Sequence, residues 1–83
     1  MKIYVVKGVT GEYSDRREWP VKSFTNEDKA KAFVLSATRR AKEIEATRET
    51  RYNVPKGMKS EFDPNIDMDY TGTSYYYEET DLE

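Results

Sequence analysis

The residue types that most enzymes use for catalysis are scarce in this chain. It contains no His and no Cys, which removes imidazole acid–base catalysis, a thiol nucleophile and most zinc sites. A serine or lysine nucleophile would need an activating base, and few groups remain that could act as one. We therefore predict that the protein is not an enzyme and has no cofactor.

Three carboxylates, Asp63, Asp67 and Asp69, have the odd spacing of a calcium-binding loop. Such a loop also needs a Gly at its sixth position and a Glu at its twelfth, where this chain has Ser74. The four glycines are dispersed, and none opens a helix as a phosphate-binding loop requires. We predict neither a metal site nor a phosphate loop.

The last third of the chain combines tyrosines with acids, which suits a protein interface because Tyr offers a large contact area at a low entropy cost. Spaced acids could also occupy a cationic groove built for a nucleic-acid backbone. An equally good interpretation is that one tyrosine face packs on a helix while the acids protect an edge strand. The candidate partner-binding residues are Asp67, Asp69, Tyr70, Tyr75, Tyr76, Tyr77, Glu78 and Glu79.

A second group of residues could bind nucleic acid by holding phosphates and stacking on bases. The alternative is that the helix arginines pair with neighbouring glutamates, and the net charge of −2 favours this interpretation. The candidates for nucleic-acid binding are Arg16, Arg17, Trp19, Arg39 and Arg40.

Charge is segregated along the sequence. Residues 1 to 60 hold all 14 Lys and Arg with eight acids, and residues 61 to 83 hold eight acids and no base. Either the acidic third, residues 61 to 83, folds back on the basic part, or each of the two parts presents its own electrostatic field to a partner.

A long helix is predicted from Thr25 to about Tyr52. Thr25 is the expected N-cap, and apolar residues recur at intervals of three and four. The stripe comprises Ala30, Phe33, Val34, Ala37, Ala41 and Ile44. A helix of about 27 residues would be about 40 Å long and would overhang a small sheet.

Three strands are predicted around this helix. The first is Met1 to Val9, the second ends at Phe24 and contains Pro20, which places it at an edge, and the third is Tyr70 to Glu79. The expected fold is α+β, with a three-stranded antiparallel sheet in the order 2-1-3 and the helix on one face, a ββαβ arrangement.

Residues 1–83 are expected to form one small domain, with a long loop at 53–69 that is a candidate contact surface and a frayed acidic end at 80–83. Neither a signal peptide nor a membrane-spanning segment is evident in the sequence. We expect a soluble cytoplasmic protein, as a monomer or homodimer.

The order of an IYVV strand, a YSD turn, a strand that ends at Phe24, a TNEDKA helix start and a Tyr-rich final strand resembles small bacteriophage and prophage accessory proteins of ββαβ build. The resemblance implies a protein that blocks a host complex, including CRISPR and other defence complexes. The sequence thus predicts a non-enzymatic inhibitor that binds a host protein or ribonucleoprotein. The alternatives are a nucleic-acid-binding accessory protein and a dimeric sponge for a signalling nucleotide.

Overall fold

The computed structural model describes residues 1–47, 59–69 and 71–81. The elements in chain order are β1 (Lys2–Thr10), a short 3-10 turn (Tyr13–Asp15), β2 (Arg17–Phe24), α1 (Glu27–Glu45) and β3 (Thr73–Asp81). The strands form one sheet in the order β2-β1-β3, and both pairs are antiparallel. The α+β fold and the 2-1-3 order predicted from the sequence are confirmed.

β1 is the central strand, and its side chains alternate between two different environments. Val6, Gly8 and Thr10 are buried beneath α1 and the loop that follows it. The alternate residues lie on the opposite side of the sheet, because successive side chains of a strand point to opposite faces. We call that side the outer face; its β1 residues are Ile3, Val5, Lys7 and Val9.

β2 lies at one edge of the sheet, as the proline in it predicts. Val6 is paired with Lys22 and Lys7 with Pro20, so Val21 has no partner and the register is irregular at this point. Proline cannot donate a ladder hydrogen bond, and an edge position leaves its nitrogen facing away from the sheet.

α1 packs on the sheet through the predicted stripe. Ala30, Ala37, Ala41 and Ile44 are buried in the core, while the other stripe residues, Phe33 and Val34, are partly buried and pack against it. The N-cap is Asn26 and not Thr25, because Asn26 has an extended backbone and its side-chain oxygen accepts the Lys29 N–H at 3.1 Å.

α1 ends earlier than the sequence predicts. Its last residue is Glu45, and Ala46 and Thr47 form a turn. Both the N–H and the hydroxyl of Thr47 donate to the Ile44 carbonyl, at 3.0 and 2.6 Å. A hydroxyl bonded in this way offers the backbone an alternative to continued helix. The rest of the predicted helix, residues 48 to 52, lies outside the described residues, and 19 helical residues span about 28 Å, not 40 Å.

The chain between α1 and β3 is described from Lys59 onwards, and this part packs against the sheet. Ser60, Asp63 and Met68 are buried, so the described part of the predicted 53–69 loop contributes to the core; residues 53–58 lie outside the described residues. A turn closed by a hydrogen bond from the Gly72 N–H to the Asp69 carbonyl precedes β3.

β3 starts at Thr73, three residues later than predicted, because the preceding turn occupies the residues before it. Gly72 has a φ of +88°, a conformation that favours glycine and fits a turn. β3 includes Thr80 and Asp81, two residues of the predicted frayed end, and residues 82 and 83 lie outside the described residues.

Candidate functional site

The most heavily bonded polar group in the interior is the carboxylate of Asp63, whose exposed fraction is 0%. One of its oxygens accepts the Trp19 indole N–H at 2.9 Å and the Tyr75 hydroxyl at 2.7 Å. The other oxygen accepts the backbone N–H of Asn65 at 3.1 Å. A carboxylate accepts hydrogen bonds and does not donate them, so these three donors match its chemistry.

The sheet register explains why Trp19 and Tyr75 meet at one carboxylate. Gly8 of β1 is paired with Trp19 of β2 on one side and with Tyr75 of β3 on the other, so the three residues form a row across the sheet. A Cβ at Gly8 would lie 2.6 Å from the Trp19 ring, so only glycine leaves room for the indole to lie over β1. Asp63 then bridges the two edge strands on the face of the sheet that α1 covers, because it accepts from Trp19 of β2 and from Tyr75 of β3.

Burial has a further effect on Tyr75. Loss of solvent raises the pKa of its hydroxyl above the usual value of 10, and the hydrogen bond to Asp63 raises it further. Tyr75 therefore stays protonated and continues to donate over the whole neutral range. This cluster contains one acceptor and three donors that satisfy it, an arrangement typical of a structural bridge.

The sequence analysis did not identify this cluster. A Gly inside a strand signals a close approach of another group, and a buried Trp needs a partner for its N–H. These two signals could have singled out Gly8 and Trp19 in the sequence. Nothing in the local sequence distinguishes Asp63 from the other acids of the last third.

The acidic third folds back on the basic part of the chain, as one of the two sequence interpretations expected. The ion pairs that join them are Lys2 with Glu79 at 3.3 Å, Lys7 with Glu78 at 3.0 Å, Arg17 with Asp67 at 2.6 Å and Arg40 with Glu61 at 3.5 Å. Exposed pairs of this kind contribute little stability each, but they neutralise charge that would otherwise face a partner.

The predicted partner-binding residues do not form a single surface. Tyr75 is only 6% exposed and belongs to the core. Tyr77 donates to Glu27 of α1 at 3.0 Å, and Glu79 is paired with Lys2. Asp67 is paired with Arg17, Asp69 accepts the Gly72 N–H through its carbonyl, and Tyr70 lies outside the described residues.

Tyr76 and Glu78, the other two of these residues, lie on the outer face. The Tyr76 hydroxyl donates to Glu18 of β2 across the central strand. This bond raises the pKa of Tyr76 to about 12 and, with the nearby Arg16, lowers the pKa of Glu18. Glu78 is paired with Lys7 at 3.0 Å. The two predicted residues therefore border the apolar part of β1.

The predicted nucleic-acid-binding residues are dispersed, and most of them are paired with an acid. Arg16 is paired with Glu18 at 3.3 Å, Arg17 with Asp67, and Arg40 with Glu43 at 3.2 Å as well as with Glu61. The Trp19 indole N–H is bound to Asp63. Arg39 is exposed, and within residues 1–47, 59–69 and 71–81 it has no ion pair.

A cleft beside α1 has a volume of about 130 Å³ and is lined by Ser36, Arg39, Arg40, Glu43, Glu61 and Phe62. Pockets for drug-sized ligands measure roughly 300 to 1,000 Å³, so this cleft is too small for a signalling nucleotide. In the part of the chain that the structure describes, no group of three acidic, His or Cys side chains is placed to hold a metal ion.

The outer face carries aliphatic side chains that lie apart from the core. Ile3, Val5 and Val9 are partly exposed, and among the described residues they are not part of the core cluster or packed against it. Tyr76, Pro20 and the polar pairs described above surround them. The outer face of β1 thus carries three aliphatic side chains interrupted by Lys7, with ion-paired carboxylates on the neighbouring strands.

None of the described helices is long and apolar enough to cross a bilayer. Comparison of the chain with protein-family models, with curated proteins and with solved structures found no match in any of the three.

Proposed function

We propose that this chain is a non-enzymatic binding protein that acts by direct contact, and that the outer face is its contact surface. The observation that supports this proposal is the partial exposure of Ile3, Val5 and Val9 on the central strand. β1 carries aliphatic residues on both sides, with Lys7 among those of the outer face, and such a strand is typical of a sheet that is covered on both sides. Within the described residues α1 covers only one of them.

The composition of the outer face fits a protein partner better than a nucleic acid. Protein interfaces combine an apolar centre and tyrosine with a polar rim, as Val5, Val9 and Tyr76 do with Glu18 and Glu78. Interfaces with nucleic acid are strongly positive, whereas the cations of this face, Lys7 and Arg16, are each paired with a carboxylate. The expected partner therefore offers an apolar patch with polar groups around it.

The narrower proposal is that the partner is a host defence complex of the CRISPR kind, or another complex that handles nucleic acid. Its support is the resemblance to phage accessory proteins, which implies a partner of this kind; such complexes carry cationic grooves for a nucleic-acid backbone. Binding of this chain in or beside such a groove would exclude the nucleic acid.

An infection assay tests this proposal. Bacteria with an active, phage-targeting CRISPR system express either the wild type or the double variant Val5→Lys/Val9→Lys, which replaces two of the three aliphatic side chains of β1 on the outer face by charged ones. We expect the wild type to restore plaque formation and the double variant to lose this effect. Leu35→Lys is the matched control, because Leu35 is 68% exposed on α1, away from the outer face.

Circular dichroism of each variant establishes that it is folded. The narrower proposal fails if the wild type does not restore plaques in any of several CRISPR types. The contact surface is wrong if the double variant, folded as the wild type is, restores plaques equally well.

Direct nucleic-acid binding has less support, because Arg16, Arg17 and Arg40 are paired with acids and Trp19 is bound to Asp63. A filter-binding titration at two salt concentrations separates this candidate from protein binding, because phosphate contacts give a steep dependence on salt.

A further inference from the structure

The two edges of the sheet differ in how they are protected against a further strand. β2 contains Pro20 and an irregular register, both of which hinder strand pairing. β3 pairs with β1 over nine residues, Thr73–Asp81, with no shift in register and no proline. In the parts of the chain that the structure describes, no strand pairs with its other side. β3 therefore presents a long, regular edge whose outward backbone groups have no strand partner.

One side of α1 runs along β3, and it carries a carboxylate at each end. Glu27 accepts the Tyr77 hydroxyl at 3.0 Å, and Glu45 lies so close to Gly72 that a Cβ there would be 2.6 Å from its carboxylate. These glutamates are the first and last residues of α1, whose 19 residues make about five turns, so both lie on the same side of the helix.

Two exposed lysines of α1, Lys31 and Lys42, lie farther from the strand than the glutamates do. Helix positions advance by about 100° per residue, so these lysines lie about 40° and 60° round the helix from Glu27. The rotation is away from Ala30 and Ala37, which are buried in the core, and toward solvent. The charges of α1 nearest to β3 are therefore the two carboxylates.

β3 adds further carboxylates to this edge and contains no base. Its residues from Glu78 to Asp81 are exposed, and Asp81 has no ion pair within residues 1–47, 59–69 and 71–81. Glu79 and Asp81 are on the same face of the sheet as Tyr77, the face that α1 covers, because side chains alternate along a strand. Glu79 is paired with Lys2 at 3.3 Å. The edge is thus acidic on its helix side.

The pKa values of two tyrosines indicate a negative field at this end of the edge. Partial loss of solvent, and then the charges of Glu27 and Glu79, raise the pKa of the Tyr4 hydroxyl. Partial loss of solvent, the hydrogen bond to Glu27 and the nearby charge of Asp28 raise the pKa of Tyr77. A positive group placed here would be attracted to the carboxylates.

We propose that the β3 edge binds an extended basic segment of a partner protein, which adds to the sheet as a fourth strand. Main-chain hydrogen bonds to β3 supply affinity, and the side chains that face α1 supply specificity. Charge complementarity selects the occupant, because Lys or Arg at those positions would lie beside Glu27, Glu79 and Asp81. This edge is distinct from the outer face, so the proposal goes beyond the function proposed above.

The spacing of the acids specifies the segment further. Tyr77, which is bonded to Glu27, is followed on the same face of β3 by Glu79 and Asp81. Successive positions on one face are about 6.6 Å apart, because a strand advances about 3.3 Å per residue. An added strand has the same repeat, so basic residues at positions i and i+2, or at i, i+2 and i+4, would lie opposite these acids. A segment with this basic spacing is the expected ligand.

A second copy of this chain fits the edge less well. Its β3 would bring Glu78, Glu79 and Asp81 with no base, and like charges repel. Its β2 edge is interrupted by Pro20, and its β1 is already paired on both sides. The acids of β3 thus protect the edge against other copies of the chain and leave it open to a basic strand.

A peptide selection tests the proposal. A display library of random 12-residue peptides is selected on the full-length chain, and enriched peptides are synthesised with and without N-methyl groups on each set of alternate amides. We expect Lys or Arg two residues apart, loss of binding when one of the two sets is methylated, and slower hydrogen exchange of β3 amides in the complex. A peptide with Glu at the basic positions should not bind.

The variant Glu27→Gln/Asp81→Asn should weaken peptide binding about tenfold, because two exposed charge pairs are lost. The Gln side chain keeps an oxygen that can accept the Tyr77 hydroxyl, and Asp81 is exposed, so the variant should fold as the wild type does. Circular dichroism checks this.

Glu43→Gln/Glu61→Gln is the matched control. It also removes two exposed acids, but these are paired with Arg40 on the side of α1 away from β3, so affinity should be unchanged. The Val5→Lys/Val9→Lys variant should also bind the peptides, so failure of the outer face and failure of this site are distinguishable.

Several outcomes would overturn the proposal: no peptide is enriched, the enriched peptides lack the basic spacing, N-methylation has no effect on binding, or the two double variants weaken binding equally. Protection of β3 amides by dimerisation of the chain, measured by light scattering together with hydrogen exchange, would assign the edge to a second copy and overturn it as well.

Discussion

Replacement of Asp63 by Ala tests whether the buried carboxylate is the main polar support of the fold. The variant leaves the Trp19 indole N–H, the Tyr75 hydroxyl and the Asn65 N–H without their acceptor. A buried donor left unsatisfied costs roughly 1 to 3 kcal/mol. With two side-chain donors stranded and partial access of water to the third, we expect a loss of about 3 to 5 kcal/mol.

A loss of this size is a large share of the protein's free energy of unfolding. A domain of this length has a free energy of unfolding of roughly 4 to 12 kcal/mol, so Asp63→Ala should lose between about a quarter and all of its stability. Urea denaturation followed by far-UV circular dichroism measures the change. Trp fluorescence is unsuitable as the signal, because the lone Trp is bonded to Asp63 and its environment changes with the substitution.

Asp81→Ala is the control, since it removes an exposed acid of β3 and should change stability by no more than about 0.5 kcal/mol. Tyr75→Phe, which removes one donor and not the acceptor, should cost about 1 kcal/mol. If Asp63→Ala unfolds at the same urea concentration as the wild type, the carboxylate does not support the fold and the reasoning is refuted.

Three further predictions concern the core. Ile44→Lys buries a charge at a site that is 5% exposed and should cost several kcal/mol, whereas Leu35→Lys should melt like the wild type; overlapping melts for both would contradict this. Gly8→Ala should lower stability by about 1 to 3 kcal/mol because its Cβ meets Trp19, and an unchanged urea midpoint would show that the ring can move. The raised pKa of Tyr75 contributes stability that is full below about pH 10 and is lost as pH rises further, so the urea midpoint should fall less steeply above pH 10 in Tyr75→Phe; equal slopes would refute it.

The sequence by itself determined the element types and their arrangement. The period of three to four residues from Ala30 to Ile44 specifies a helix with one buried face. β-branched and aromatic runs specify the strands, and Pro20 specifies the edge. These signals are local, so they can be read from neighbouring residues. The 2-1-3 order follows from them because short connections leave few alternatives.

The ends of elements were predicted less well, because a few side-chain hydrogen bonds decide them. Asn26 caps α1 where Thr25 could have done so, and Thr47 ends it well before the next proline. Each choice depends on which of two adjacent polar groups reaches a free backbone group, and the energies of the alternatives differ by little.

Only the tertiary structure decided which polar residues are internal. Asp63 is one of eight acids in residues 61 to 83, and it is buried because the sheet register aligns Trp19, Gly8 and Tyr75 beneath it. The same register places Tyr75 inside and Tyr76 on the outer face, although the two are adjacent in a run of three tyrosines. Contacts between distant parts of the chain, such as Gly8 with Tyr75 and Trp19 with Asp63, create these differences, and no local pattern of residue types contains that information.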